Sequence, residues 1–176
     1  MIFHPISVKG AFLVEPEIRD DERGYFARVW CHDEFRQHGL NPKLSQSSVS
    51  FNRRKGTLRG MHWQVAPHEE AKLVRCIRGS IFDVVVDLRR QSPTFRVNQG
   101  FELSEENGAM LYVPEGCAHG FLTLADDSEV LYFISTDYVP EAQRGFRWND
   151  SAINIAWPGA IQVMSERDRT YPDLAI

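Results

Sequence analysis

Short apolar segments separated by turn residues recur along this chain about every ten residues. The clearest of them, IFDVVVDL at residues 81–88, alternates with a period of two, so that Phe82, Val84 and Val86 fall on one face. Further strands are predicted at residues 59–64, 72–78, 110–113, 120–124 and 129–135, with turns at residues 54–56, 78–80, 106–108 and 126–128. Many short strands at this spacing favour an all-β sandwich or barrel over alternating strand–helix–strand units.

Helical signals are confined to two short stretches. One helix is predicted at residues 33–38, with Asp33 as its N-cap and Gly39 at its end. The residues from Trp148 onward include Pro158 and Pro172, which predicts an irregular segment with one helical turn. The 176 residues contain no repeat, linker or low-complexity segment, so a single domain over residues 1–176 is expected.

Composition limits the class of protein. No run approaches 18 apolar residues, and the first residues lack a basic segment followed by an apolar stretch, so we expect neither a membrane span nor a signal peptide. The three cysteines, Cys31, Cys76 and Cys117, are far apart in the sequence, which predicts reduced thiols in a cytoplasmic protein.

The net charge of −4 argues against general nucleic-acid binding. Residues 53–78 nevertheless hold seven Lys or Arg and only two Glu. A local basic zone on an acidic protein fits a small polyanionic ligand such as a diphosphate, although solvated surface charge explains the count equally well.

Two glycine-containing segments each carry one histidine: GTLRGMHWQ at residues 56–64 and VPEGCAHGF at residues 113–121. A lone histidine among apolar residues is more often a core residue than a catalyst. The chain also offers a cation in Lys72, a phenol in Tyr132 and a carboxylate in Asp168. Base, cation, phenol and carboxylate together are what proton removal next to a carbonyl group requires.

Strand phase indicates which of these side chains share a face. On a regular strand His62 lies on the same side as Gly60, while Arg59 lies on the opposite side. Lys72 and Tyr132 are each in phase with apolar neighbours, so a barrel interior can receive both together with His62. Arg59 reaches that side only if it precedes the regular strand or if a bulge at Gly60 re-aims it.

Five further motifs accompany the two histidine segments: DERGYF at residues 21–26, DVVVDLR at 83–89, SPTF at 92–95, LY at 131–132 and SERD at 165–168. The order and spacing of these motifs closely resemble those of the dTDP-4-dehydrorhamnose 3,5-epimerase family. The resemblance implies a cupin-type jelly-roll barrel or sandwich with a few short helical turns. It also implies epimerisation of a nucleotide-linked 4-keto-6-deoxy sugar without metal or other cofactor. The most specific expectation is conversion of dTDP-4-dehydro-6-deoxy-D-glucose to dTDP-4-dehydro-L-rhamnose.

Four reactive roles follow from the resemblance. His62 would remove the proton beside the ketone, since imidazole titrates nearest neutral pH, and Asp168 would fix its tautomer. Lys72 would stabilise the enolate, and Tyr132 would return a proton on the opposite face. Without the resemblance, Tyr132 would be interpreted as a core residue, Lys72 as an exposed strand edge and Asp168 as a solvated or capping residue.

The resemblance also implies a set of residues that bind the nucleotide diphosphate and the sugar. They are Arg23, Phe26, Arg28, Gln46, Ser48, Arg59, His119, Tyr138, Gln143 and Arg167. Arginine suits multidentate phosphate recognition, and Tyr138 would stack on the base. Family members are typically homodimers that exchange an N-terminal strand, so residues 23–28 are expected to serve the neighbouring subunit's site.

Three of these positions depart from the residues usual in the family. Arg28 stands where a glutamate is usual, Ser48 replaces an asparagine and Gln143 replaces a glutamate. These departures leave the reaction type intact but leave open the nucleotide base and the sugar. The motifs also do not separate a double 3,5-epimerase from a relative that inverts only C3 or C5.

Two other functions compete with this interpretation. A metal-dependent cupin needs a His-x-His pair, but the second position here is Gln64, a poor ligand for the softer transition metals. His62 and His119 alone fall short of a 2-His-1-carboxylate set, so no metal site is expected. The second rival is a non-catalytic sugar-nucleotide binding protein on the same fold, but a binder needs no paired acid and base.

Overall fold

Most of residues 1–174, which the computed structural model describes, lie in or between β-strands. In chain order the strands are β1 (Ile2–Pro5), β2 (Phe12–Glu15), β3 (Ile18–Asp21), β4 (Gly24–Ala27), β5 (Gln46–Asn52), β6 (Thr57–Gln64), β7 (Lys72–Arg78), β8 (Ser80–Asp87), β9 (Asn98–Ser104), β10 (Met110–Val113), β11 (Cys117–Thr123), β12 (Ser128–Ile134), β13 (Gln143–Gly145) and β14 (Val163–Met164). The helices are α1 (His32–Gln37) and α2 (Glu166–Thr170), with a single 3-10 turn at Pro140–Ala142.

The strands form two large sheets and one separate hairpin. The first sheet has the order β1-β2-β10-β7-β12-β5, and the second has the order β13-β6-β11-β8-β9 with β14 beside β6. Strands β3 and β4 pair only with each other within the described residues. From β7 to β12 the chain passes repeatedly between the two large sheets, as in a jelly roll. The all-β prediction is confirmed in its sandwich form, because no pairing among residues 1–174 closes the sheets into a barrel.

The main core lies between the two large sheets. It joins buried side chains of the first sheet, such as Val74 and Leu111, to Ile81, Val85 and Phe121 of the second. The opposite face of β8 packs under the C-terminal part of the chain, in a cluster with Phe146 and Ile153. The alternation predicted for residues 81–88 is therefore confirmed, with each face of the strand covered by a different layer.

The predicted strand positions agree closely with the structure. The predictions for residues 72–78 and 110–113 match β7 and β10, and those for 81–88 and 129–135 are displaced by one residue. Strand β11 begins at Cys117 rather than at residue 120, since its first residues pair with the end of β8. All four predicted turns fall at junctions between consecutive strands, although Arg78, Ser80 and Ser128 are themselves strand residues.

The capping prediction for the first helix was wrong. Cys31 occupies the N-cap in an extended conformation and provides no side-chain cap, so α1 begins at His32. Asp33 lies in the first turn and contacts His32 and Arg36 rather than a backbone amide. Gly39, at φ +71°, follows the end of the helix as predicted.

The C-terminal segment contains the predicted helical turn, α2, and also an unpredicted strand. Strand β14 pairs with the start of β6 in the parallel direction, with Val163 beside Thr57. This pairing holds the segment against the second sheet and places α2 in contact with β6. No helix within residues 1–174 has the length and apolar character needed to cross a membrane.

Candidate active site

A pocket of about 670 Å³ lies between the two large sheets. Its walls come from β5, β7 and β12 of the first sheet, from β6 and β11 of the second, and from α2. Eleven of the residues predicted from the sequence line it: Gln46, Ser48, Arg59, His62, Lys72, His119, Tyr132, Tyr138, Gln143, Arg167 and Asp168.

A bulge in β6 explains how Arg59 and His62 line the same pocket. His62 is paired with His119, but Arg59 is paired with Phe121, so a step of three residues on β6 faces a step of two on β11. Gly60 lies at φ +129°, and a Cβ on it would come within 2.6 Å of the backbone of Gly120. Only glycine fits this position, and of the two arrangements considered for Arg59 the structure has the bulge.

His62 and Asp168 form a hydrogen-bonded pair. The imidazole Nε2 lies 2.6 Å from Asp168 Oδ1, and the Gly60 amide donates to Oδ2 at 3.3 Å. Burial by itself raises the pKa of Asp168, but the hydrogen bond and charge of His62, with the Gly60 amide, lower it below its ordinary value. The carboxylate therefore stays ionised, and His62 Nδ1 is the ring nitrogen left without this partner.

The C-terminal segment supplies this carboxylate. Ser165 caps α2 by accepting a hydrogen bond from the amide of Asp168, whose side chain is buried. Tyr171, just after the helix, packs the edge of its ring against His62 at a centroid distance of 5.8 Å. Gly145 has no side chain, and the Tyr171 ring fills the space that a Cβ at this position would occupy. Helix cap, ring and glycine together fix the orientation of the His62–Asp168 pair.

A second histidine–carboxylate pair lies directly across the sheet. His119 is the backbone partner of His62, and its Nε2 lies 2.7 Å from Oδ1 of the fully buried Asp83. Burial raises the pKa of Asp83, and the charges of His119 and Lys72 oppose that rise. The sequence interpretation missed Asp83 as a site residue, although strand alternation already put this carboxyl on the inward face of β8 with Val85.

Tyr132 reaches the pocket from the first sheet. The edge of its ring packs against His119 at a centroid distance of 6.2 Å. Burial raises the pKa of its phenol well above the ordinary value, the charge of Asp83 raises it further, and Arg59 acts in the opposite direction. The phenol is therefore fully protonated at neutral pH and can act as a proton donor.

Lys72 is enclosed rather than exposed at a strand edge. Its Nζ lies 2.7 Å from Glu70 Oε1, and the two side chains are only 12% and 10% exposed. Glu70 also lines the pocket, and the sequence interpretation missed it. Its position two residues before Lys72, on the same face of an extended chain, was the available signal.

Two arginines of the pocket have neutral partners. Arg59 donates through Nε to the side-chain oxygen of Asn52 at 2.7 Å. The Arg167 guanidinium lies over the ring of Tyr171, 5.7 Å from its centroid. Neither forms an ion pair with a carboxylate among residues 1–174, so both can attract an anionic ligand.

One wall of the pocket carries polar and aromatic groups without formal charge. Gln46 and Ser48 come from β5, and the half-exposed Tyr138 donates its hydroxyl proton to Gln143 Oε1 at 2.5 Å. Position 143 thus holds a neutral amide that fixes the Tyr138 hydroxyl.

Three predicted binding residues do not reach this pocket. Arg23, Phe26 and Arg28 belong to the β3–β4 hairpin or follow it directly, and none of them lines the pocket of its own chain. Phe26 is 70% exposed, and Arg23 binds Asp21 within the hairpin. Arg28 instead pairs with Glu34 of α1.

Gln64 has a structural role at the end of β6. Its amide donates to the carbonyls of His68 and Asp137, and its oxygen accepts from the Val139 amide at 2.7 Å. The side chain is buried and ties the pocket rim together. Within residues 1–174 no group of three or more His, Cys, Asp or Glu side chains is arranged to hold a metal ion.

Comparison with known proteins identifies the family. The family model described as dTDP-4-dehydrorhamnose 3,5-epimerase matches residues 5–175. A protein of that name from Sinorhizobium fredii is 43% identical over 175 residues, which are 99% of this chain and 90% of the relative. The crystal structure of dTDP-4-dehydrorhamnose 3,5-epimerase from Bacillus anthracis with TDP and PPi bound is 36% identical, with a TM-score of 0.94 and coverage of 98% of this chain and 99% of that one.

A solved structure of a mono-epimerase is also similar. The 3'-monoepimerase from Streptomyces bikiniensis in complex with dTDP-quinovose is 34% identical, has a TM-score of 0.88, and is matched over 97% of this chain and 86% of its own. The family match over residues 5–175 includes every residue that lines the pocket. The chain belongs to the dTDP-4-dehydrorhamnose 3,5-epimerase family of isomerases.

Proposed function

We propose that the pocket inverts C3 and C5 of dTDP-4-dehydro-6-deoxy-D-glucose to give dTDP-4-dehydro-L-rhamnose. The observation that carries the proposal is that a histidine–carboxylate pair and a protonated phenol enter one pocket from facing sheets, since His62 is on β6 and Tyr132 on β12. A base and an acid on opposite sides of a planar enolate are the minimum equipment for epimerisation.

In the first step His62 takes the proton from the carbon beside the ketone. Asp168 engages Nε2, so Nδ1 is the nitrogen that accepts the proton. The electron pair of the broken C–H bond moves to the ketone oxygen and forms an enolate. The ionised Asp168 stabilises the imidazolium that results, as carboxylates do in other histidine-dependent sites.

The enolate is stabilised by Lys72 and reprotonated by Tyr132. The Lys72 ammonium lines the pocket and can donate to the oxygen on which charge develops. The Tyr132 phenol then delivers its proton to the carbon from the face opposite His62, which inverts the centre. Solvent exchange of both groups restores the starting protonation states. Each acid or base of this kind contributes about 10²- to 10⁴-fold to the rate.

The diphosphate binds to the unpaired cations of the pocket. Arg59 and Arg167 lack carboxylate partners in the described part of the chain, and guanidinium groups bind phosphate oxygens in a multidentate way. His119 adds a donor next to them, and Tyr138 stacks on the base. Gln46, Ser48 and Gln143 complete the wall.

Arg23, Phe26 and Arg28 complete the site of a second subunit in a homodimer. The hairpin that carries them pairs with no other strand of residues 1–174 and exposes Tyr25 and Phe26. Strand β5 is at the end of its sheet and exposes Val49 and Phe51 beside the pocket. Exposed apolar groups on a sheet edge and on an unsupported hairpin support exchange between two chains. The proposal also includes a single epimerase domain in the cytoplasm. The free cysteines of the chain are compatible with that reducing compartment.

A second candidate is an epimerase that inverts only C3 or C5. The similarity to a 3'-monoepimerase favours it, and so do Arg28, Ser48 and Gln143, which change the surroundings of the nucleotide and sugar. The two candidates share the same base, acid and cation.

Incubation with the 4-keto sugar nucleotide in D₂O, followed by NMR, tests the proposal. Deuterium at both C3 and C5 with inversion is the expected result. Incorporation at one carbon identifies the mono-epimerase, and binding without incorporation identifies a non-catalytic binder. Either of those outcomes rejects the double epimerase.

A further inference from the structure

Glu70 and Lys72 form an enclosed ion pair on the pocket wall, 2.7 Å apart. Removing two charges from water costs free energy that a simple pair seldom recovers, so such a pair is weak evidence for stability. Its position on the wall of the pocket, rather than in the core between the sheets, points to a role in the chemistry of the site.

The charges of the pocket are divided into two groups. The three groups His62, His119 and Lys72 each have their own carboxylate, namely Asp168, Asp83 and Glu70. Arg59 and Arg167 have only neutral partners within residues 1–174. The sugar end of the pocket therefore carries no excess of positive charge, whereas the positive excess lies on the two arginines.

The ion pair of Lys72 with Glu70 affects how the substrate is oriented in the pocket. An ammonium with no counter-charge would compete with the arginines for the diphosphate, because that ligand carries most of the substrate's negative charge. The ion pair with Glu70 offsets the charge of the ammonium, while its N–H donors remain able to reach the ketone oxygen. Holding a flexible lysine at a fixed point also reduces the entropy lost in the transition state.

We infer that Glu70 is a positioning residue for Lys72, holding its ammonium towards the ketone oxygen and offsetting its charge against diphosphate. This inference rests on the proposed function, because it assumes that Lys72 stabilises an enolate. It makes an unusual prediction, since removing the charge of Glu70 should slow catalysis while strengthening the binding of a nucleotide diphosphate.

The test compares Glu70→Ala and Glu70→Gln with the control Glu69→Gln. Glu69 is adjacent, and its substitution makes the same charge change, but it does not line the pocket. Glu70→Ala should lower the rate of deuterium incorporation at saturating substrate about ten- to a hundredfold, as for a lost charged contact. Glu70→Gln should tighten dTDP binding, measured by calorimetry, about threefold to tenfold, because a carboxylate on the wall of the same pocket no longer repels the diphosphate. Glu69→Gln should match the wild type in both measurements.

Two results would overturn the inference. One is an unchanged dTDP affinity in Glu70→Gln, which would leave Glu70 with a structural role only. The other is weaker binding of the complete sugar nucleotide with no change for dTDP, which would make Glu70 a ligand of a sugar hydroxyl. Thermal unfolding of each variant establishes that it is folded. Failure of the proposed function is recognised separately, because the wild type would then incorporate no deuterium while its dTDP affinity could still be compared with that of the variants.

Discussion

The predicted site residues fall into two regions that differ in how they are supported. The pocket floor, defined here as His62, Lys72, His119, Tyr132 and Asp168, is carried by central strands and α2, and its charged members are each paired with a group of the same chain. The β3–β4 hairpin exposes its side chains and makes its ion pair between Arg23 and Asp21 internally. The five residues of the pocket floor therefore meet in one chain, whereas Arg23, Phe26 and Arg28 lie outside the pocket of their own chain.

The physical reason is the number of neighbours that a strand has. Strands β6, β7, β11 and β12 each have a hydrogen-bonded neighbour on both sides, so their side chains are held by packing and register. A two-stranded hairpin is marginally stable alone and gains order by docking on another surface. The predictions for the pocket floor therefore concern one chain, whereas the prediction for the hairpin depends on a second subunit.

The largest effect is expected for His62→Ala on the pocket floor. Loss of the base should abolish deuterium incorporation at the sugar carbons, a fall of at least about 10²- to 10⁴-fold, while the fold stays intact. NMR in D₂O measures the exchange and circular dichroism the fold. His32→Ala, which changes an exposed histidine outside the pocket, serves as the control. Wild-type exchange in a folded His62→Ala protein would assign the base elsewhere.

Tyr132→Phe should separate proton removal from inversion. His62 and Lys72 still form the enolate, so deuterium is expected to enter the substrate, but net inversion should fall by about 10²-fold or more because the proton donor on the far face is missing. Product and substrate isomers can be resolved by NMR in the same experiment. Full epimerisation by this variant would transfer the acid role to another group, such as a water molecule.

Nucleotide recognition should depend on the diphosphate more than on the base. Arg59→Ala removes a charged contact and should weaken dTDP binding about ten- to a hundredfold. With Arg28, Ser48 and Gln143 in place of two acids and an amide, the affinities for dTDP, UDP, CDP and GDP should differ less than in a thymidine-specific relative. Calorimetry with the four nucleotides measures both effects. Strong selectivity for dTDP together with a negligible effect of Arg59→Ala would contradict this view.

Subunit complementation tests the comparison directly. If Arg23 serves the partner's site, a dimer of one Arg23→Ala chain and one His62→Ala chain carries both defects in the same site. The other site of that dimer keeps both His62 and Arg23 and stays intact. Co-expression of the two variants should then restore about a quarter of the wild-type sites, since half of randomly formed dimers are mixed. Activity at low substrate concentration is compared with the sum of the separate variants. Activity no greater than that sum would show that each chain builds its site alone.

The smallest effect on turnover is expected at Asp87. It lies on β8 like Asp83, but its carboxylate binds Arg89, Ser92 and Thr94 and does not line the pocket. Burial raises the pKa of Asp87, yet these hydrogen bonds outweigh it and lower the pKa to about 2. Because folding lowers this pKa, the ionised Asp87 stabilises the fold at pH values above about 3.8, its pKa in the unfolded chain. That stabilisation is lost as the pH falls towards 2.

Asp87→Asn should therefore leave activity near the wild-type level and lower the free energy of unfolding by up to about 2.5 kcal/mol at pH 7. Its stability should also vary less than that of the wild type between about pH 4 and pH 2. Urea unfolding at several pH values measures this difference. A large loss of activity in a folded Asp87→Asn protein would link this end of β8 to the site.

Local sequence pattern determines much of this fold. The alternation at residues 81–88 predicted both faces of β8. The mismatch in phase between Arg59 and His62 left two arrangements open, of which the structure has the bulge at Gly60. The helix start was misplaced because side-chain type suggested a cap at Asp33, whereas the extended backbone of Cys31 set the boundary. The motif order and spacing indicated the family from the sequence alone.

Only the tertiary structure decided which charges meet. Asp168 is 106 residues from His62, and Asp83 is 36 residues from His119, so their pairing depends on the docking of α2 and on the register of β8 with β11. No site prediction for Glu70 came from the sequence, and only the folded structure places its enclosed ion pair with Lys72 on the pocket wall. Period and turn chemistry are local properties that a sequence carries directly. Burial and charge pairing depend on distances across sheets, which exist only once the chain has folded.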